Sequence, residues 1–137
     1  MKFTTLFGAQ RSIKKPNKYL IKWEGKSRSK IQFKVKSFLR EFWESKIVFE
    51  EFPMAGTKLS FDIFNASERI IVEVQGQQHT KYTPFFHGSH KMNYIDQLRR
   101  DKEKLDFCKI NNIKLVEVYY DDIINKQLFK KQGVVLI

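Results

Sequence analysis

The segment 73-EVQGQQH-79 places an acid, an amide and an imidazole within seven residues, directly after an apolar run that reads as a strand. Side chains alternate along a strand, so Glu73 and Gln75 share one face with Ile71. A carboxylate at the end of an apolar strand is costly to bury unless a cation pairs with it. The segment therefore predicts a cation site or a solvated strand end.

A second acid, Asp62, lies within the preceding apolar run, 59-LSFDIFN-65. If the two runs pair as a hairpin, Asp62 and Glu73 lie on adjacent strands within side-chain reach. Converging carboxylates repel each other and favour a bound cation. Oxygen ligands of this kind suit Mg²⁺, with Mn²⁺ as a substitute, together with water and a substrate phosphate. The alternative is a solvated hairpin edge on which both acids are exposed and have no role.

A third acid, Asp101, falls at the centre of an apolar stripe on the helix predicted at residues 91–111. The stripe consists of Tyr94, Leu98, Leu105 and Cys108. A carboxylate on a buried helix face needs a partner. Two explanations stay open: Asp101 binds an arginine or a backbone amide, or it points toward Glu73 or His79.

Basic residues are concentrated in the first 40 positions, which hold 12 of the 26 Lys and Arg residues and only one acid, Glu24. Residues 41–137 are balanced, so the formal charge of +11 belongs to the first 40 residues. A concentrated basic segment is typical of proteins that bind a polyanion, and we expect double-stranded DNA rather than an anionic membrane. The residues expected to contact DNA are Arg11, Lys14, Lys15, Lys18, Lys22, Lys26, Arg28 and Lys30.

The length of 137 residues and the 42% hydrophobic content predict one domain with a hydrophobic core. We expect a basic arm and strand over residues 1–28, as part of the DNA-binding surface, and a single catalytic domain over residues 29–137. No apolar run is long enough for a membrane span, and the N-terminus lacks the apolar region of a signal peptide. Cys108 is the single cysteine, which excludes an intrachain disulfide and a thiolate zinc site and favours a cytoplasmic setting.

The periodicity predicts an α/β fold: a mixed β-sheet, with an antiparallel meander and a later strand, flanked by helices. Residues 1–17 read as an irregular arm. Helices are predicted over residues 30–46, 91–111 and 121–131, and strands over residues 18–23, 47–53, 58–64, 69–75 and 113–120. The apolar tail 134-VVLI-137 fits either the core or a dimer interface, so a monomer and a homodimer both stay open.

These segments resemble the PD-(D/E)xK (restriction-endonuclease-like) nuclease superfamily, and within it the Vsr-like, EDxHD branch that includes phage homing endonucleases. The resemblance covers residues 29–120 and rests on 61-FDIF-64, 73-EVQGQQH-79 and 100-RDKEKLDFCKINNIKLVEV-118. It implies a restriction-endonuclease-like core and a magnesium-dependent endonuclease. A phage origin would place the protein in the cytoplasm of a bacterial host.

The resemblance also implies roles for individual residues. Asp62 and Glu73 become the metal ligands, and Gln75 occupies the position of the superfamily's lysine. His79 and Asp101 match the histidine and the later acid of the branch, with Lys104 one turn further on. The first-helix acid is replaced by Gln32, with Glu41 as the alternative.

The function expected from these features is hydrolysis of DNA phosphodiester bonds by a phage-type homing endonuclease. His79 would act as general base or stabilise the leaving group. A structure-selective nuclease, such as a junction resolvase or a repair or restriction enzyme, would share the same site. Because Gln32 and Gln75 replace ionisable residues, a catalytically inert DNA-binding module is the alternative outside the enzymes.

Overall fold

A computed structural model of the chain describes residues 1–76 and 89–137, with side chains in the second range described from residue 92 onward. The elements in chain order are β1 (Lys2–Thr4), β2 (Gln10–Ser12), a 3-10 helix (Pro16–Tyr19), α1 (Lys30–Trp43), β3 (Val48–Pro53), β4 (Ser60–Asn65), β5 (Ile70–Gln75), α2 (Ser89–Ile110), β6 (Lys114–Tyr119) and α3 (Lys126–Lys130).

The main sheet has four strands in the order β3-β4-β5-β6. The first three form an antiparallel meander, and β6 pairs with β5 in parallel, reached through α2. The predicted α/β class with a mixed sheet is therefore confirmed. Strands β1 and β2 form a separate antiparallel hairpin.

The core is divided by the sheet into two apolar layers. On one face, Ile63, Val72 and Val116 pack with α1, α3 and the C-terminal tail. On the other, Phe61 and Ile71 pack with the β1–β2 hairpin and the end of α2. The tail therefore belongs to the core, through buried Val134 and Leu136.

Helix α1 begins as predicted, with the Ser29 side chain accepting a 3.2 Å hydrogen bond from the amide of Gln32 as N-cap. An apolar stripe of α1 packs against the sheet: Val35 and Leu39 are buried, and Ile31, Phe38 and Phe42 are partly buried. The helix also buries Lys36 completely, which its sequence pattern does not indicate.

The prediction of an irregular arm over residues 1–17 was wrong, because the hairpin folds onto the core. Phe3 is 6% exposed and packs against Phe52, Phe64 and Phe107. The strand predicted at residues 18–23 was also wrong: a 3-10 helix ends at Tyr19, and only the single bridge from Leu20 to Phe49 follows. The short apolar run there packs on the core edge without extending the sheet.

The predicted buried stripe of α2 was wrong at Leu98 and Leu105, whereas Cys108 is buried as predicted. Leu98 and Leu105 are 50% and 40% exposed, whereas Phe107 and Cys108 are buried. Lys104 also lies on the packed side, because the aliphatic part of a lysine can be buried while its amine reaches a polar partner. The last helix is shorter than predicted, at Lys126–Lys130. Among the described residues, every helix is too short or too polar to cross a bilayer.

Candidate active site

Acidic residues form a row across the sheet. Glu51 and Asp62 face each other between the pairs Glu50↔Ile63 and Phe52↔Phe61. Asp62 and Glu73 occupy the next positions after the pair Ile63↔Val72. Glu73 then pairs with Glu117 on β6. The predicted proximity of Asp62 to Glu73 on neighbouring strands is therefore seen in the register of the sheet.

Asp62 and Glu73 are held by hydrogen bonds that cross between their strands. The main-chain amide of Asp62 donates to Glu73 Oε2 at 2.8 Å, and the amide of Val74 donates to Asp62 Oδ2 at 2.7 Å. Both acids are buried, at 8% and 4% exposure. The two carboxylates are therefore fixed in position, and the alternative of a solvated hairpin edge does not describe them.

Lys104 of α2 is the cation at this acidic pair. Its amine donates to Glu73 Oε1 at 2.5 Å, and its side chain is only 15% exposed. The amine also lies 5.9 Å from the centre of the Phe61 ring. Lys104 thus approaches the carboxylates from the helix that covers this face of the sheet.

Burial and mutual repulsion both oppose ionisation of the two carboxylates and raise their pKa values. Burial, followed by the charge of Asp62, raises the pKa of Glu73 to about 7, although Lys104 acts in the opposite direction. Burial also raises the pKa of Asp62, against the effect of the Val74 amide. Each acid would be stabilised in its charged form by another cation nearby.

A polar cleft of about 230 Å³ opens at the two acids. Its lining includes Asp62 and Glu73 at the base and the cations Arg28, Lys58, Arg100 and Lys104 around them. Two carboxylates and four cations thus line the same cleft, a charge pattern compatible with an anion bound beside a metal ion. Ser60, Gln75 and Gln97 add hydrogen-bonding groups to the wall.

The residues present fit a divalent cation such as Mg²⁺, since two carboxylates open onto a polar cleft with room for water and a phosphate. Within residues 1–76 and 92–137, no three His, Cys, Asp or Glu side chains converge as ligands. Mg²⁺ requires no such set, because it keeps several waters and takes one or two carboxylates. Asp62 and Glu73 are the residues that would hold it.

Gln75 lies on the same face as Glu73, as predicted, and is 5% exposed. It lines the cleft and pairs in register with Tyr119. Glu117 accepts a 2.7 Å hydrogen bond from the Tyr119 hydroxyl, and this bond, with burial, raises the pKa of Tyr119 to about 12. Tyr119 therefore stays protonated at neutral pH. His79 lies outside the described residues.

Asp101 lies on α2 beside the cleft, and the hydrogen bonds of Glu73 go to Asp62 and Lys104 instead. It accepts a 2.8 Å hydrogen bond from Gln97 on the preceding turn of α2. Its negative charge contributes to the raised pKa of Tyr119, so it faces the end of β6. The partner found, Gln97, is none of those considered from sequence (an arginine, a backbone amide, Glu73 or His79), and His79 lies outside the described residues.

Gln32 is buried but contacts a different pair of acids. Its side-chain amide donates to Glu50 Oε2 at 2.9 Å and to Glu51 Oε1 at 3.0 Å. Glu51 has a φ of 53° and faces Asp62 across the sheet, and its charge contributes to the raised pKa of Asp62. Gln32 is thus linked to Asp62 through Glu51. Glu41, the alternative for this position, is exposed.

The residues expected to contact DNA are all exposed. They extend from β2 through the 3-10 helix to the start of α1. Arg28 joins them to the cleft, because it lines both the cleft and a neighbouring groove of about 360 Å³ that also contains Lys18, Lys22 and Lys26. Arg28 pairs with Glu51 at 3.2 Å. The basic surface therefore adjoins the carboxylate pair.

Sequence reasoning missed Lys104 and Glu51 as parts of this site. The lysine was noted only for its place in the motif, because a charged residue on a helix is expected to face solvent. Its spacing from Phe107, Cys108 and Asn111 does follow the helical repeat and would have indicated one shared face. Nothing in the sequence signals the left-handed backbone of Glu51.

Comparisons with known proteins found relatives among viral proteins. The chain is 33% identical over 84 residues to uncharacterized protein 033L of Invertebrate iridescent virus 3, which covers 61% of this chain and 43% of that protein. It is 35% identical over 68 residues to uncharacterized protein 094L of Frog virus 3, a match that covers 50% of this chain and 44% of that protein. It is also 37% identical over 62 residues to uncharacterized protein 307L of Invertebrate iridescent virus 6, a match that covers 45% of this chain and 31% of that protein.

The chain thus spans less than half the length of these curated relatives. No family model matches the sequence, and no solved structure matches the fold. The relatives' names give no activity, so the chemistry has to be argued from the site.

Proposed function

We propose that this chain is a magnesium-dependent endonuclease that hydrolyses phosphodiester bonds in double-stranded DNA. The observation that supports this most strongly is the carboxylate pair, in which Asp62 and Glu73 are fixed by main-chain hydrogen bonds at the base of a cleft with four cations. A buried acidic pair next to a basic surface suits a metal ion and a phosphate together.

The substrate is inferred from the charges around the cleft. Arg28, Lys58 and Arg100 stand where the backbone of a bound nucleic acid would pass, and Arg28 continues into the basic groove. Guanidinium groups bind phosphate through two parallel hydrogen bonds, which fixes its orientation. A polymeric substrate explains why the basic surface extends beyond the cleft, whereas a single small phosphate ester would leave most of it unused.

The chain's own residues divide the work of hydrolysis. Asp62 and Glu73 would hold the ion, which would supply Lewis-acid activation of the phosphate and of water. Lys104 lies within hydrogen-bond distance of Glu73 and can stabilise negative charge that develops at the phosphate. Gln75 cannot titrate, so it serves to orient a ligand. His79 is proposed as the general base or as the group that stabilises the leaving group, and Asp101 as the residue that would orient it by a hydrogen bond.

A plasmid assay tests this proposal. Supercoiled DNA should be nicked or linearised by the protein with Mg²⁺ and stay intact with EDTA, and Mn²⁺ should replace Mg²⁺. Cleavage that persists in EDTA would contradict the metal site. DNA binding without cleavage, on duplexes and on branched substrates alike, would instead identify an inert DNA-binding module.

Mapping the cleavage sites on DNA would distinguish a homing endonuclease from a structure-selective nuclease. Cuts clustered at one long sequence would support the proposed homing endonuclease. Cuts at junctions or flaps, independent of sequence, would support a structure-selective enzyme.

A further inference from the structure

Phe7 is the most exposed aromatic residue of those described, at 95%. It lies in the turn between β1 and β2, whereas the neighbouring Leu6 packs against the core. A bulky ring left in water loses the favourable free energy that its burial would provide. The site that has been proposed makes no use of this ring.

The turn that carries Phe7 is rigid. The amide of Thr5 donates to the carbonyl of Ala9 at 2.8 Å, and the amide of Gly8 donates to the carbonyl of Thr5 at 3.0 Å. The Thr5 hydroxyl accepts a 3.2 Å hydrogen bond from the amide of Ala9. Gly8 has a φ of 88°, which suits glycine. The ring therefore projects from an ordered support.

The hairpin is also fixed to the rest of the fold. Asn111 at the end of α2 accepts from the amide of Thr4 at 2.8 Å and donates to its carbonyl at 2.9 Å. Thr5 is buried against Gly56, where an added Cβ would lie 2.8 Å from the Thr5 methyl group. The loop that contains Gly56 continues to Lys58, which lines the cleft. The hairpin thus adjoins the wall of the cleft.

Charge selects the kind of partner. Residues 1–23 contain six basic residues and no acid. On the hairpin itself Lys2 and Arg11 are both exposed. Binding to a lipid surface requires a broad apolar face. Phe7 is a single exposed ring in the turn, because the neighbouring Leu6 packs against the core. A single ring at the tip of a hairpin whose strands carry Lys2 and Arg11 suits a gap between stacked base pairs flanked by phosphates.

We propose that Phe7 inserts between adjacent base pairs of the duplex that the basic surface binds, and partly unstacks them. This inference rests on the proposed function for the identity of DNA as the ligand and does not depend on cleavage. An inserted side chain unstacks a base step and kinks the duplex, which changes its twist. The ring would also fix where the hairpin sits on DNA.

The test measures the linking number of a closed circular plasmid that a metal-independent topoisomerase relaxes in EDTA, with the protein bound. The wild type and the control variant Ile123→Ala, which removes an apolar side chain that is 79% exposed in the C-terminal part of the chain, should shift the linking number in proportion to the protein bound. Phe7→Ala should bind about tenfold more weakly, keep the same salt dependence and produce no shift at saturation. Phe7→Trp should restore the shift.

Four outcomes would overturn the inference. A wild type that binds DNA without changing the linking number, or a Phe7→Ala variant that shifts it equally, would refute insertion and leave the proposed function intact. A Phe7→Ala variant that loses binding only to phosphatidylserine vesicles would assign the ring to a membrane. A wild type that binds no duplex at low salt would refute both proposals.

Discussion

The main-chain amide of Asp62 donates a 2.8 Å hydrogen bond to the carboxylate of Glu73. The position of each acid is therefore fixed by the backbone of the hairpin as well as by its own rotamer. Because the amide of Val74 donates in turn to Asp62, a change at either acid leaves a buried main-chain donor without its partner. We expect variants at this pair to lose some stability as well as activity, so conservative amides are the substitutions of choice.

Lys104→Ala should lower the rate of DNA cleavage about a hundredfold, as expected for loss of one group that stabilises developing charge. Binding of DNA should change little, because the basic surface is retained. The matched control is Lys102→Ala on the same helix, whose amine pairs with Asp106 and is exposed. Single-turnover rates and binding constants measured side by side separate the two effects. Equal rates for both variants would remove Lys104 from the mechanism.

The metal-free protein should lose stability as the pH rises from about 4.5 to about 7, the window between the ordinary pKa of Glu73 and its value in the fold. The folded state holds this proton more tightly than the unfolded chain does, so its contribution is present at low pH and disappears as Glu73 ionises. Mg²⁺ favours the ionised pair. Its addition should therefore raise the melting temperature more at pH 8 than at pH 5.

Thermal unfolding of Glu73→Gln provides the comparison for that prediction. Without the ionisable group, the difference between wild type and variant isolates the contribution of Glu73. If Mg²⁺ raised the melting temperature equally at both pH values, or raised that of Glu73→Gln as much as that of the wild type, Glu73 would not be a metal ligand.

The strand pattern explains why so much of this arrangement was accessible from sequence. Alternation along residues 69–75 placed Glu73 and Gln75 on one face, and the apolar run around Asp62 indicated its hairpin partner. Both features depend on local geometry that repeats every two residues. The capping of α1 by Ser29 follows from a local rule of the same kind.

The sequence-based predictions were wrong where contacts between residues far apart in the chain determine which face is buried. Apolar residues at Leu98 and Leu105 predicted the buried face of α2, yet the face that packs contains Lys104, because Glu73 supplies a partner for its amine. Phe3 anchors the hairpin on three distant rings. A short, basic N-terminal segment carries no periodicity that could reveal such contacts.

Lys36→Met should lower the free energy of unfolding by about 3–5 kcal/mol, the range expected when one partner of a buried ion pair is removed. The amine of Lys36 donates to Glu50 at 3.1 Å and to the carbonyls of Lys22 and Gly25 at 3.0 and 2.9 Å. All three acceptors would lose that donor. Urea unfolding measures the change, with Lys34→Met, an exposed lysine on the same helix, as control. A loss no larger than the control's would contradict this anchoring role.

Replacing Arg11, Lys14 and Lys15 together with Gln should weaken DNA binding and lower its salt dependence. Each lost phosphate contact reduces the slope of log K against log salt by about 0.9, so the triple variant should lose up to about 2.7. These side chains are exposed, and the substitutions keep Phe3 in the core, which deletion of the segment would not. The same three-fold substitution at Lys126, Lys130 and Lys131 is the charge-matched control. An unchanged slope would mean that β2 and its connection face away from DNA.

The most direct test of the central claim is single-turnover cleavage of DNA in Mg²⁺ by Asp62→Asn and Glu73→Gln, with the exposed acid variant Asp121→Asn as the matched control. Each substitution keeps the size of the side chain and removes its charge, and DNA binding measured in EDTA verifies that the protein is folded. We predict that the first two variants bind DNA and lose magnesium-dependent cleavage, while the control cleaves at the wild-type rate. Wild-type cleavage by either Asp62→Asn or Glu73→Gln would contradict the assignment of the site.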